Sequence, residues 1–330
     1  MRYWALVAVP TVLTAAFFYA ASDNRHEVSA QDFVNLQQGN AIQPGFRRAH
    51  AKGFCVSGDF ISSGTLAEYS SAQVFQAGQY PFIGRFSVAG NNPTAPDLKA
   101  PVRSLALTLL PETAEQWRTA MNTPPVLAVG TPEKFYQQLL ALQNNTIAEF
   151  FAAHPETAAF RNWRASYQPT LSYATEQYHS INAFYLINAA GKQQAVRWAA
   201  VPTVGAANQL PDPEAVDALQ QELFARLSDG PVIFDLVFSL ATSADDENDA
   251  TIIWPDTNPQ LIAGQLQIKQ ATEQSNGQCN AINFDPLVLP RGILPSADPI
   301  LRARGAAYAE SHRRRAREVL LNTATGAHHE

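Results

Sequence analysis

The strand-like segments of this 330-residue chain come in blocks and do not alternate one by one with helices. FCVSGDFISSG, PFIGRFSVAG and VRSLALTLL follow one another, with short alternating apolar stretches and glycine at the turns. Period-two alternation gives a strand two different faces, so such segments pair into an antiparallel sheet. FYQQLLALQNNTIAEFFAAH then has helical spacing, with Phe135, Leu139 and Leu142 on one face and a start at Thr131-Pro132-Glu133. NAFYLINAAGKQQAVRW is two alternating runs around Ala190-Gly191-Lys192, a hairpin signal. The amphipathic PEAVDALQQELFARL ends at Asp229-Gly230, VIFDLVFSLAT is another strand, and residues 260–271 supply a last one. Asp298-Pro299 opens a C-terminal helix. A doubly wound parallel sheet would need a helix between successive strands, and no Gly-rich phosphate loop is present. The expected class is α+β: an antiparallel β-barrel with surrounding helices, in one minimal domain.

A net charge of −6 argues against a general nucleic-acid partner. The arginines are nonetheless clustered, at Arg47 and Arg48 and again at Arg302, Arg304, Arg313 to Arg315 and Arg317. Such clusters suit a specific anion. The start, MRYWALVAVPTVLTAAFFYAASDN, places Arg2 before an apolar run from Ala5 to Ala21. This fits an export signal or a short membrane anchor, and leaves cleavage open. Residues 29–39 read as a short helix capped by Ser29. Two cysteines, Cys55 and Cys279, are too few for a zinc or iron–sulfur site; a single long-loop disulfide and two buried thiols are both open. The acidic loop Asp245 to Asp249 lacks calcium-hand spacing and reads as a solvated turn.

Two residues are candidates for chemistry, and from their own stretches a packed core histidine beside a solvated basic face and a structural Arg–Tyr contact are the other readings that stay open. His50 lies within three residues of Arg47, Arg48 and Lys52, and neighbouring cations disfavour a protonated imidazole. A neutral imidazole is the form that accepts a proton. Late in the chain, Arg304 and Tyr308 are four residues apart on one helix face, and Arg315 is two turns further on. An arginine near a phenol favours phenolate, and tyrosinate is one of the few axial ligands of haem. The remaining histidines, His26, His154, His179, His312, His328 and His329, read as structural or surface groups.

Five segments in order carry a resemblance: RRAHAKG, GRFSVAGNNPTAPD with PVRSLAL, MNTPPVLAVGTPEKF, FDLVFSLAT with ATIIWP, and ARGAAYAESHRRR. They resemble the haem catalases, and most closely the short bacterial catalase-related peroxidases, over residues 33–320. The resemblance implies a catalase-type barrel and one haem b. His50 would be the distal base, Ser87 would hydrogen-bond the far side of its imidazole, and Asn122 would be the distal amide. A one-residue slip would put Met121 in the place of Asn122, and the ungapped count back from Phe135 selects Asn122. Tyr308 would be the axial iron ligand, steadied by Arg304. Arg47, Arg85 and Arg315 would pair with the haem propionates, and Phe135 would pack against the porphyrin. Leu127 and Ala128 stand where large catalases carry aromatics that narrow the distal channel.

These readings divide the chain into an export or anchor segment (1–28), a haem-binding domain (29–322) and a short tail (323–330). They imply an exported, periplasmic haem peroxidase that reduces hydrogen peroxide or organic hydroperoxides with an organic donor, with weak catalase activity alongside. No bound NADPH, no nucleic acid and no membrane contact beyond the first segment are expected, and a homo-oligomer stays open. Two other readings share the same residues: a hydroperoxide isomerase resembling allene oxide synthases, and a non-enzymatic haem carrier.

Overall fold

The computed structural model describes residues 27–110, 112–205 and 211–326. The export or anchor expectation therefore falls on residues outside those described. Among the described residues, no helix is long and apolar enough to cross a membrane.

The blocks of strand signal form one antiparallel sheet. Its strands are β1 (Gly53–Ser62), β2 (Gly78–Val88), β3 (Arg103–Leu109), β4 (Trp117–Asn122), β5 (Tyr178–His179), β6 (Phe184–Ile187), β7 (Gln193–Pro202), β8 (Val232–Leu240), β9 (Gln260–Thr272) and β10 (Ile293–Pro295). The order β5-β4-β3-β2-β1-β9-β8 is closed by pairing of β7 with both β8 and β5. The result is an eight-stranded barrel, from which β6 and β10 extend along one edge of β7. Closure requires sharp bending. It occurs where β9 shifts register against β8, next to Gly264 at φ 150°. A Cβ on Gly264 would lie 2.1 Å from the Ile61 carbonyl oxygen, so no larger residue fits there.

Aromatic side chains fill the barrel. Trp117 packs against Trp198 at 5.2 Å between centroids and against Phe75 at 5.3 Å, and Phe238 closes on both Phe75 and Trp198 at 5.4 Å. Tyr173 and Phe86 meet at 5.1 Å. A barrel filled in this way is a core and leaves no room for a ligand inside, so any site lies on its outer face.

Among the described residues, six α-helices surround the barrel: α1 (Ala30–Gln38), α2 (Pro132–Gln143), α3 (Ile147–Ala153), α4 (Ala158–Ser166), α5 (Ala218–Asp229) and α6 (Pro299–Gly326). Ser29 and Asp32 form a reciprocal capping box at the start of α1. Thr131 caps α2 by accepting from the Lys134 N–H, with Pro132 at the first turn. The segment expected as one helix after Thr131 is two. Asn145 adopts φ 58° and breaks the run between α2 and α3, a conformation that asparagine tolerates better than most residues. Cys55 on β1 and Cys279 in the turn Gln278–Asn280 form a disulfide with Cα atoms 5.4 Å apart. This settles the question that the sequence leaves open. The acidic loop is held by its own turn: the Asp245 carboxylate accepts from the Thr242 N–H and hydroxyl and from Asn258. Among the described residues no group of acidic, histidine or cysteine side chains could hold a metal ion.

Candidate functional site

Side-chain alternation on three neighbouring strands builds one wall of a cavity of about 430 Å³. Phe86, Leu105 and Met121 turn into the barrel core. Their neighbours Arg85, Ser87, Ser104, Ala106, Ala120 and Asn122 line the cavity outside. Register aligns these outward residues in two rows across the sheet: Ser87, Ser104 and Asn122 in one, Arg85, Ala106 and Ala120 in the next. The first row is polar. The second has an arginine at one end and two alanines that leave a flat floor. Helices α1, α2 and α6 supply the other walls through Phe33, Phe135, Leu139, Arg304, Tyr308 and Arg315, among others.

His50 enters this cavity from the segment before β1. Its backbone has φ 79°, and both the His50 and Ala51 N–H groups donate to the Gly90 carbonyl at 2.9 Å. A left-handed conformation is costly for histidine and persists only where the surroundings enforce it. The imidazole pKa is lowered to about 4, chiefly by burial and then by the charges of Arg85, Arg304 and Arg47; a hydrogen bond to the Val88 backbone opposes the shift. His50 is therefore neutral at ordinary pH. Two of its three sequence neighbours play no part. Arg48 pairs with Glu318 on α6, and Lys52 lies 2.7 Å from Asp217.

Arg47, Arg85 and Arg315 converge on the cavity. Arg47 donates to the Cys279 and Ile282 carbonyls at 3.0 and 2.9 Å, and its Nη1 is buried with no hydrogen-bond partner. Arg85 donates to Gln274 and to the Ala51 carbonyl, and Arg315 reaches Asn280 and the Ile282 carbonyl at 3.5 Å. Burial lowers all three pKa values, to about 9 for Arg85 and about 10 for Arg315, and mutual repulsion adds to the effect on Arg47 and Arg85. Among the described residues, none of the three has a carboxylate within ion-pair distance, whereas Arg313 and Arg314 both pair with Glu310. Three guanidinium groups gathered without an acid, one with an orphaned donor, suit a ligand that brings carboxylates.

On α6, Tyr308 is half-buried and lines the cavity with Arg304 one turn before it. Arg304 donates to the Asn182 side-chain carbonyl and to the Ala120 backbone carbonyl at 3.1 Å, and Asn182 donates onward to Asp298 at 2.7 Å. Arg304 is thus held by an amide and the strand wall. The hydrogen bonds of Arg304 go to Asn182 and Ala120, and its expected steadying of Tyr308 has only their shared helix face behind it. The donor set fits haem: a phenol oxygen in one wall, a neutral imidazole in the same cavity, three free cations and a floor of small side chains.

Most residues singled out in the sequence line this one cavity: Arg47, His50, Arg85, Ser87, Asn122, Phe135, Arg304, Tyr308 and Arg315. Met121, the alternative to Asn122, borders the cavity too, but it is fully buried and packs in the barrel core. One contact falls elsewhere than expected. The hydroxyl within reach of the His50 ring is that of Ser104, 3.4 Å from Nδ1, and not that of Ser87. Ser104 also donates to Asn122 Oδ1 at 2.5 Å. Sequence reasoning missed Ser104, Asn182, Gln274 and Phe33. Only the alternation on β3 could have pointed to Ser104. His312, read from the sequence as a structural or surface group, sits within α6, contacts the Ala281 carbonyl at 3.0 Å and lines the cavity. His179 is a half-buried imidazole, its pKa lowered to about 4 by desolvation, paired in register with Asn122.

The Catalase family model matches residues 33–322. A catalase-related peroxidase of Synechococcus elongatus is 33% identical, over 95% of this chain and 96% of that protein. Another from Mycolicibacterium paratuberculosis is 32% identical, over 82% and 88%. Among solved structures, a fungal catalase superposes with a TM-score of 0.74 at 20% identity, over 83% of this chain and 60% of that one. A bacterial catalase gives 0.72 at 23% identity, over 89% and 61%. The chain belongs to the catalase family.

Proposed function

We propose that this protein is an oxidoreductase that reduces peroxide with the help of a bound haem b, using an organic compound as electron donor. The observation that carries this reading is the meeting, in one cavity, of a neutral imidazole, a tyrosine and three arginines without acid partners. The names of the two most similar relatives described above support a peroxidase or catalase type of activity.

Arg47, Arg85 and Arg315 would hold the two propionates, Phe135 would pack against the ring, and the Tyr308 oxygen would ligate the iron. Haem, when bound, supplies a redox-active iron at which the peroxide O–O bond is cleaved. The protein supplies proton handling and order. The His50 imidazole takes the proton from one peroxide oxygen and returns it to the other, so that water or an alcohol leaves. The Asn122 amide donates a hydrogen bond that orients the peroxide. Two electrons from the donor and two protons complete the reduction. The cavity lining includes the apolar Leu127, Ala128, Leu139, Leu142 and Phe160. This favours hydroperoxides and donors larger than hydrogen peroxide.

We also infer export. The N-terminal apolar run and the Cys55–Cys279 disulfide both suit an oxidising compartment. The mass of the mature chain from a periplasmic fraction tests this, and an intact chain in the cytoplasm refutes it.

The absorption spectrum of the protein titrated with hemin tests the site. A high-spin ferric spectrum of tyrosinate type is expected, and it is altered in Tyr308→Phe. Peroxide turnover falls at least a hundredfold in His50→Ala, by about the contribution of a general base. Unchanged turnover leaves the haem-carrier reading. Isomerisation of a lipid hydroperoxide without donor consumption leaves the allene oxide synthase-like one.

A further inference from the structure

One face of α2 breaks its own pattern. Phe135, Gln138, Leu139 and Leu142 have the spacing of the inward stripe of an amphipathic helix, and all four line the cavity. Such a stripe calls for apolar side chains. Yet the glutamine lies deeper than the leucines: Gln138 is 8% exposed and Leu142 51%. Within α2 only Gln138 and Ala141 are buried. The Gln138 Oε1 is enclosed and has no hydrogen-bond partner. A buried acceptor left unpaired weakens the fold, and an apolar side chain of similar shape would remove that penalty. Packing therefore does not account for this amide, whereas a ligand in the cavity does.

We propose that Gln138 is the recognition group of a subsite for the electron donor, and that this donor is an aromatic ring bearing an O–H or N–H, a phenol or an arylamine. The proposal rests on the peroxidase reading above and names the class of donor. An amide oxygen accepts, so its partner must bring a proton on oxygen or nitrogen. The surroundings are apolar and largely aromatic: Phe33 from α1, Phe135 and Leu139 from α2 and Phe160 from α4. Phe33 and Phe135 already meet, with ring centroids 6.0 Å apart. The rest of the ligand is therefore a flat apolar body. The groups assigned to the peroxide, His50 and Asn122, come from the segment before β1 and from β4, which leaves Gln138 on α2 to the second substrate. The last torsion of glutamine is broad, so the amide turns to meet a ligand without moving the helix. Phenols and arylamines are also ready one-electron donors, because the ring delocalises the unpaired electron left behind. A site with a buried hydrogen-bonding group rejects an analogue that lacks the matching proton. An aryl ether would leave Oε1 unpaired and bind less well.

The test uses the full chain loaded with gallium(III) protoporphyrin, a redox-inert stand-in for haem. It is titrated in a calorimeter with p-cresol and with its methyl ether, 4-methylanisole. The wild type should bind p-cresol about tenfold more tightly, the worth of one buried hydrogen bond. Gln138→Met keeps the length and removes the acceptor, so it should bind the two probes within about twofold of each other. Gln137→Met makes the same exchange at the exposed neighbour and should keep the preference. Ligand-free Gln138→Met should melt no lower than the wild type, because the oxygen it loses has no partner. In the haem protein, KM for p-cresol should rise about tenfold in Gln138→Met and stay at the wild-type value in Gln137→Met. Equal binding of the two probes by the wild type overturns the proposal, and so does a preference that survives in Gln138→Met. A lower melting temperature in Gln138→Met with binding unaltered marks the amide as structural and overturns it as well. A haem protein inert toward peroxide would refute the peroxidase reading, while the gallium form would still decide whether Gln138 selects the hydroxyl.

Discussion

Removal of the Cys55–Cys279 disulfide should cost the protein much of its margin of stability. The two cysteines are 224 residues apart in sequence. Chain-entropy theory gives about 5 kcal/mol at 25 °C for a loop of that size. An unfolding entropy of roughly 2 cal/mol/K per residue over about 300 residues makes each degree worth roughly 0.6 kcal/mol. The melting temperature of Cys55→Ala/Cys279→Ala should then fall by about 8 °C. Both side chains are buried, so two lost sulfur atoms add a packing cost of the same sign. The position of the bridge adds a second effect. It fixes the turn whose Cys279 and Ile282 carbonyls receive Arg47. Loss of hemin should therefore be faster in the variant. Scanning calorimetry at one scan rate, with hemin transfer to apomyoglobin, measures both. Two titratable thiols in the unreduced wild type, or a melting temperature within about 1 °C of it in the variant, would refute the reasoning.

Three other outcomes are expected. Arg85→Met removes a charge-assisted bond worth about 2 kcal/mol, so hemin affinity should drop roughly thirtyfold by equilibrium titration. Acid should destabilise the fold between pH 6.5 and about 4. His50 and His179 stay neutral in the native state down to about 4, while the unfolded chain binds protons from about 6.5, so stability is lost as pH falls through that window. Each imidazole contributes up to about 3 kcal/mol, and His179→Gln should flatten the urea midpoint over this range. Leu127→Phe should narrow the apolar part of the cavity, lowering kcat/KM for a bulky hydroperoxide about tenfold more than for hydrogen peroxide, as competition kinetics would show.

The barrel was legible because period-two alternation is a local signal, and the blocks of strands with one helix between them exclude a wound sheet. The broken helix at Asn145 was not, because its apolar spacing continues across a residue that only the backbone conformation distinguishes. His50, Asn122 and Tyr308 were reached through a resemblance carried by motifs in order, and all three line one cavity. The detail that failed was side-chain partnership. Ser87 and Ser104 are neighbours in register, and sequence cannot tell which of two serines in one row leans toward an imidazole. Arg304 and Tyr308 share one helix face, yet Asn182, far away in sequence, takes a donor of Arg304. The disulfide was undecidable for the same reason: nothing local brings residues 224 apart together.

The strict in-and-out alternation of β2, β3 and β4 gives this fold a division of labour. Leu105 packs in the barrel core and is not part of the cavity lining, while Ala106 and Ala120, on the same strand and its neighbour, line the cavity, Ala106 packing also beside the Cys55–Cys279 cluster. Enlarging or reshaping Ala120 would retune which molecules are admitted, and altering an inward neighbour such as Leu105 would weaken the scaffold first. New selectivities can thus be written on the outside of this barrel without rewriting its interior.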